Sequence, residues 1–238
     1  MAFAPPDPSV GVFETLLVRD GRVQALDAHL ARLARSVADL YRLALPDDVG
    51  GRVRDRAAAL AGEHRLRVDA VPAAAGLDVV LVTSPLDPRR PRDVACTPIV
   101  VAGGLGAHKW RDRRWLGSVG AGADVPLLVD RDGSVLEAAW ANVWLLRGER
   151  LITPPADGRL LAGVTRARLL ALAPALGLRA AERRITVREV AGGCAFLTSS
   201  LQLAAAISAG GAGEPGRPGA ASDAVARIRV ALGAADWT

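Results

Sequence analysis

Residues 108–116 read His-Lys-Trp-Arg-Asp-Arg-Arg-Trp-Leu, and they contain Lys109, the one lysine among the 30 Lys and Arg residues of a 238-residue chain. Elsewhere arginine supplies the positive charge, so this position keeps an amine where a guanidinium was the ready alternative. Neighbouring like charges, here Arg111, Arg113 and Arg114, disfavour an ammonium. A neutral amine attacks a carbonyl to form a Schiff base, whereas a guanidinium stays protonated. Lys109 is therefore a candidate nucleophile.

The segments on either side read differently. Upstream, VGVFETLLVR (10–19) is strand-like and ends at the turn Asp20-Gly21, with a short second strand at 22–26. Asp27 is a plausible N-cap for a helix in which Leu30, Leu33, Val37, Leu40 and Leu43 recur at three- and four-residue spacing. A second helix is predicted over 48–61, and extended segments over 65–71, 77–84 and 97–102. The middle one, LDVVLVTS, is apolar enough to lie buried. Downstream, VPLLVD and SVLEAAWANVWLLRGERLITPP read as short strands joined by tight turns. Gly163-Val164-Thr165 then opens a helix closed by Gly177, followed by a strand near 180–186 and the strand AFLTSS (195–200). Residues 209–221 read as a Gly/Pro/Ala-rich loop, and a last helix as 222–233. The whole is an α+β chain with expected domains 1–102 and 108–238 around a linker at 103–107, Gly-Gly-Leu-Gly-Ala.

Composition narrows the function classes. Half the residues are hydrophobic and 23% charged, as in a globular protein. No uninterrupted run of 18 apolar residues argues for a membrane span, no secretory signal is visible, and the two cysteines suggest no disulfide framework, so a cytoplasmic protein is expected. The net charge is only +5, the arginines are interleaved with acids, and aromatic residues are few, which argues against nucleic acid. His29, His64 and His108 are isolated, so no metal site is expected.

Three further features carry chemistry. Glu137 sits in VLEAAWANVWLL, where a carboxylate needs a partner. Gly163-Val164-Thr165-Arg166 offers backbone N–H groups and a hydroxyl at a helix start, suited to a phosphate. Thr198-Ser199-Ser200 places small donors at a strand end. An amine for an aldehyde, an acid for a pyridinium and hydroxyls for a phosphate are together what a protein supplies to pyridoxal 5'-phosphate.

The order GVFETLLVRDG, LDAHLARLARS, HKWRDR, LEAAWANVW, ITPP, LLAGVTRARLL, AFLTSS resembles the class IV aminotransferases, the fold-type IV pyridoxal-phosphate enzymes. That resemblance implies a two-domain fold of the D-amino-acid aminotransferase type, a homodimer and a small amine or amino-acid substrate. It makes Lys109 the lysine that holds the cofactor and moves the substrate proton, and Glu137 the acid on the pyridine nitrogen. Arg32, Val164, Thr165, Ser199 and Ser200 become the cup for the phosphate, Ser200 with Ser199 also orienting the substrate carboxylate. Lys109-x-x-Asp112-Arg113 is closest to the pattern of aminodeoxychorismate lyase, with Asp112 in place of asparagine, so release of pyruvate to give 4-aminobenzoate is the leading expectation and transamination the alternative. Branched-chain aminotransferases have a tyrosine where Arg114 stands and an arginine where Leu17 stands. Trp140 occupies a place usually held by small residues, where it either narrows the pocket or packs in the core, and packing is the expectation.

Overall fold

The computed structural model describes residues 4–90, 93–118, 124–208 and 220–238. Its contacts gather them into two units. One contains Ala4–Arg90, His108–Trp115 and Ala235–Thr238; the other contains the described residues of 91–107 and 116–234. The sequence reading of 209–221 falls mostly outside the described residues.

The first unit is built on an antiparallel sheet in the order β2-β1-β3-β4. Its strands are β1 (Val12–Arg19), β2 (Arg22–Val23), β3 (Glu63–Ala73) and β4 (Gly76–Pro85). The Asp20-Gly21 turn joins β1 to β2 with both residues at positive φ, 47° and 80°, the geometry whose twist suits a two-residue hairpin. Helices α1 (Leu26–Tyr41) and α2 (Val49–Ala58) cover one face. Leu26, Leu33 and Val37 of α1 and Val49 and Val53 of α2 pack there with Val12, Leu16, Leu66 and Val68. Each such side chain contributes roughly 1.5–3 kcal/mol on burial.

Two sequence expectations change here. Asp27 is not the N-cap of α1; it lies in the first turn, and Ala25 caps the helix in the left-handed region, with φ 51°. The amide of Ala25 donates to Asp236 O at 2.7 Å, a constraint from the far end of the chain. The strand LDVVLVTS is not buried. It is the outer strand of the sheet, and Val80 and Val82 are 51% and 43% exposed.

The second unit holds nine strands in the order β10-β9-β8-β12-β13-β5-β6-β7-β11. They begin with β5 (Asp93–Val100) and, after α3 (Arg114–Ser118), continue as the meander β6 (Val125–Val129), β7 (Ser134–Ala138), β8 (Asn142–Arg147) and β9 (Arg150–Thr153). Helix α4 (Val164–Leu172), β10 (Arg179–Glu182), β11 (Ile185–Thr186), α5 (Val187–Ala191), β12 (Cys194–Ser199), β13 (Leu203–Ser208) and α6 (Ala220–Ala234) complete it. β7 and β8 stand five places apart in the order, yet Ala138 and Ala141 bridge them across a tight turn, so the sheet curls back on itself. Leu127, Val135, Val143, Leu145 and Leu197 form a core within this unit, and Trp140 packs against it, as expected. β13, Leu-Ala-Ala-Ala-Ile-Ser, has no strong strand signal of its own; β12 on one side and β5 on the other hold it extended. Cys96 and Cys194 are thiols, not joined in a disulfide, and burial pushes Cys96 up to about 11.

Candidate functional site

In the first unit Lys109 is fixed by its own backbone. Its carbonyl accepts from Phe13 N at 2.9 Å, Arg111 N donates to Gly11 O at 3.0 Å, and Trp110 bridges Val12, so the segment lies along the start of β1. The Lys109 Nζ stands 4.8 Å from the centre of the Phe13 ring. The guanidinium carbons of Arg67 and Arg113 stand 3.9 and 5.4 Å from the same centre. Three cations thus gather around one aromatic ring. Asp69 accepts from Arg67 Nε at 2.7 Å and lies 3.5 Å from Arg111, so one carboxylate offsets part of this charge. Asp112 is committed elsewhere. It accepts both Nε and Nη2 of Arg114, at 2.9 and 2.7 Å, together with the amides of Asp7 and Arg114.

Arg32 projects from α1 to Glu14 on β1. Its Nε reaches Oε1 at 2.7 Å and its Nη2 reaches Oε2 at 2.8 Å. His29 Nδ1 lies 2.7 Å from the same Oε2. Burial works to raise the Glu14 carboxyl, but Arg32, with His29, holds it well below the usual carboxylate range. Burial lowers His29, and the charges of Arg32 and Lys109 add to it against the pull of Glu14.

These shifts fix a pH dependence. Unfolded, His29 takes up a proton near its ordinary value of about 6.5, before the folded chain does, so acid favours the unfolded state below that pH. Glu14 stays ionised in the fold to lower pH than in the unfolded chain; its contribution is complete above about pH 4.5 and is lost as the pH falls further. Denaturant titrations from pH 7 to 4 are expected to show the unfolding free energy falling steadily, with His29→Asn flattening the upper part. Stability that rises on acidification would contradict this.

In the second unit the other named residues cluster. Glu137 is 6% exposed near the end of β7, and its Oε2 accepts from Leu161 N at 3.3 Å. Asn142, which opens β8, donates through Nδ2 to Leu161 O at 2.8 Å. Both polar groups therefore hold the segment that leads into α4. A side chain on Gly163 would collide with Asn142 Oδ1, which is why glycine stands there. Gly163 also leaves the first turn of α4 without a side-chain cap, with Val164 and Thr165 both buried behind it. The first N–H groups of such a helix favour an anion. Thr198 pairs with Asn142 across β12 and β8 and accepts from Trp144 Nε1 at 2.9 Å, so Ser199 and Ser200 follow directly beside the Asn142 end. Ser199 Oγ accepts from Gln202 N at 3.4 Å in the turn to β13.

Thus Lys109 and Arg32 belong to one unit, and Glu137, Val164, Thr165, Ser199 and Ser200 to the other. Glu14, Arg67 and Asn142 were not singled out from sequence. Of these only Glu14 had a local signal: a carboxylate in a strand whose alternate neighbours, Val12 and Leu16, are core residues. Among the described residues no group of three His, Cys, Asp or Glu is placed to hold a metal, and no helix is long and apolar enough to cross a membrane.

The profile of the family Amino-transferase class IV matches residues 11–209. The chain belongs to the class IV aminotransferase family. Class IV aminotransferases are pyridoxal-phosphate-dependent enzymes. A protein of Rickettsia felis named as a probable branched-chain-amino-acid aminotransferase is 35% identical over 69 residues, 29% of this chain and 23% of that protein. The chain thus spans about a quarter of the length of the curated relatives it matches. Over the whole fold, a hypothetical aminotransferase from Mycobacterium tuberculosis, in its α-ketoglutarate- and PMP-bound form, gives a TM-score of 0.78 at 26% identity, covering 98% of this chain and 93% of that one. A Legionella pneumophila structure named as a candidate 4-amino-4-deoxychorismate lyase shares the fold with a TM-score of 0.75, 21% identity, and 98% and 96% coverage. The architecture expected from sequence, that of fold-type IV enzymes, is the one found.

Proposed function

We propose that this class IV enzyme exchanges an amino group between a small amino acid and a 2-oxo acid, using pyridoxal phosphate. The donor set fits the cofactor: a buried carboxylate already held by a backbone amide, an uncapped helix start with a buried hydroxyl, and one amine among guanidiniums. In this reading Lys109 holds the aldehyde carbon, Glu137 the pyridine nitrogen, and Arg32, Val164, Thr165, Ser199 and Ser200 the phosphate. Bound there, the cofactor supplies an electron-withdrawing ring that allows the substrate Cα–H bond to ionise.

The chain's own residues then have defined tasks. The Lys109 amine would take the proton from the substrate Cα and deliver it to the carbon that was the aldehyde. The Glu137 carboxylate keeps a proton on the ring nitrogen. Arg67 and Arg113 orient the substrate carboxylate, and the Phe13 ring provides a dry apolar floor beside it. The observation that carries the proposal is the placement of the Lys109 amine against the same aromatic ring as two guanidiniums, which suits an anionic amine substrate.

Lyase chemistry on aminodeoxychorismate is the second reading, favoured by the Lys109-x-x-Asp112-Arg113 pattern. Transamination is placed first because the matched curated relatives are named as branched-chain aminotransferases and because Asp112 is occupied by Arg114. The proposal includes a homodimer acting in the cytoplasm. Amino-group transfer from branched-chain and acidic amino acids to 2-oxoglutarate is the expected activity. Formation of 4-aminobenzoate from aminodeoxychorismate without such transfer would overturn the order.

A further inference from the structure

Arg32 is anchored by a carboxylate that stability alone does not call for. Glu14 is 1% exposed, on the face of β1 whose adjacent members, Val12 and Leu16, are apolar core. An ionised carboxylate there carries a desolvation cost of several kcal/mol that an aliphatic residue would avoid. What the carboxylate does is collect donors from α1. His29 and Arg32 lie three residues apart, hence on one helix face, and both converge on it. The bidentate contact uses the Nε–Nη2 edge of the guanidinium. Because that group is planar, the contact fixes both its plane and the direction of the opposite edge. His29 occupies the same Oε2 as Nη2, so the carboxylate itself is held from a second direction.

We propose that Glu14 is a positioning residue: it presents Arg32 in a single orientation for the cofactor phosphate, with His29 locking the carboxylate in place. This rests on the role proposed above for Arg32. A long arginine free to rotate would lose side-chain freedom on binding the phosphate; one held by Glu14 has lost it on folding.

The test compares equilibrium binding of pyridoxal phosphate and of pyridoxal, which has the aldehyde but no phosphate, by the absorbance change on binding. The proteins are the wild type, Glu14→Gln, Arg32→Gln and the double variant. Arg32→Gln is expected to lower the preference for pyridoxal phosphate over pyridoxal. Glu14→Gln is expected to lower it about tenfold with pyridoxal binding little changed, the size of a weakened charge-assisted hydrogen bond. In the Arg32→Gln background Glu14→Gln should cause no further loss. An unchanged preference in Glu14→Gln, or an equal loss with and without Arg32, overturns the positioning role while leaving the cofactor reading intact. A wild-type preference in Arg32→Gln overturns the assignment of Arg32 and the inference with it. If Glu14→Gln does not fold, Glu14→Asp, which keeps the charge but withdraws it by one methylene, is expected to show the same selective loss, and an unchanged preference there overturns the inference.

Discussion

Replacing Lys109 with arginine is expected to lower turnover by about three orders of magnitude or more while the fold persists. The reason is chemical: the guanidinium remains protonated, so it neither attacks an aldehyde nor takes a proton from carbon. The backbone contacts that place the segment, Lys109 O to Phe13 N and Arg111 N to Gly11 O, do not involve the side chain. The Phe13 ring already accommodates two guanidiniums, so a third is tolerable in size and charge. Thermal unfolding should therefore shift little while single-turnover and steady-state rates both collapse. Near wild-type turnover in Lys109→Arg would remove Lys109 from the chemistry.

Glu137→Gln is expected to have the next largest effect. Glutamine is nearly isosteric and can still accept from Leu161 N, so the segment leading to α4 should keep its position. What is lost is the negative charge that holds a proton on the ring nitrogen. Withdrawing one partner of a buried charged pair costs about 3–5 kcal/mol, which corresponds to roughly a hundredfold to several thousandfold in rate if the pair is made in the transition state. Cofactor binding should be weakened far less than turnover, since the phosphate and Lys109 contacts remain. Equal losses in binding and turnover would show that Glu137 only holds the cofactor in place.

The local periodicities made much of the fold legible. β1 and α1 followed from a strand pattern, a positive-φ turn pair and a three-four apolar stripe, each a property of fewer than 20 consecutive residues. The departures arise where distant chain decides. Ala25 takes the N-cap of α1 because Asp236 holds its amide. LDVVLVTS reads as interior but forms the outer strand, because burial depends on sheet order and not on composition. The alanine-rich β13 is a strand because β12 and β5 enclose it.

The site divides in the same way. Lys109 stood out because a single amine among guanidiniums is a compositional fact, and Glu137 because a carboxylate in an apolar run demands a partner. Glu14 carried the same signal, but its partners lie 15 and 18 residues away on a helix. Asn142 acts through Leu161, in the loop before α4, and Thr198 through Trp144, a pairing set by the register of β12 on β8.

The central claim, that Lys109 carries pyridoxal phosphate, is tested most directly by borohydride reduction of the protein incubated with the cofactor, followed by peptide mapping. The expected result is a yellow protein that loses its colour on reduction and retains a phosphopyridoxyl group on the peptide containing Lys109, with no stable adduct in Lys109→Arg. A reducible adduct that persists in Lys109→Arg, or a wild-type protein that takes up no cofactor, would contradict it.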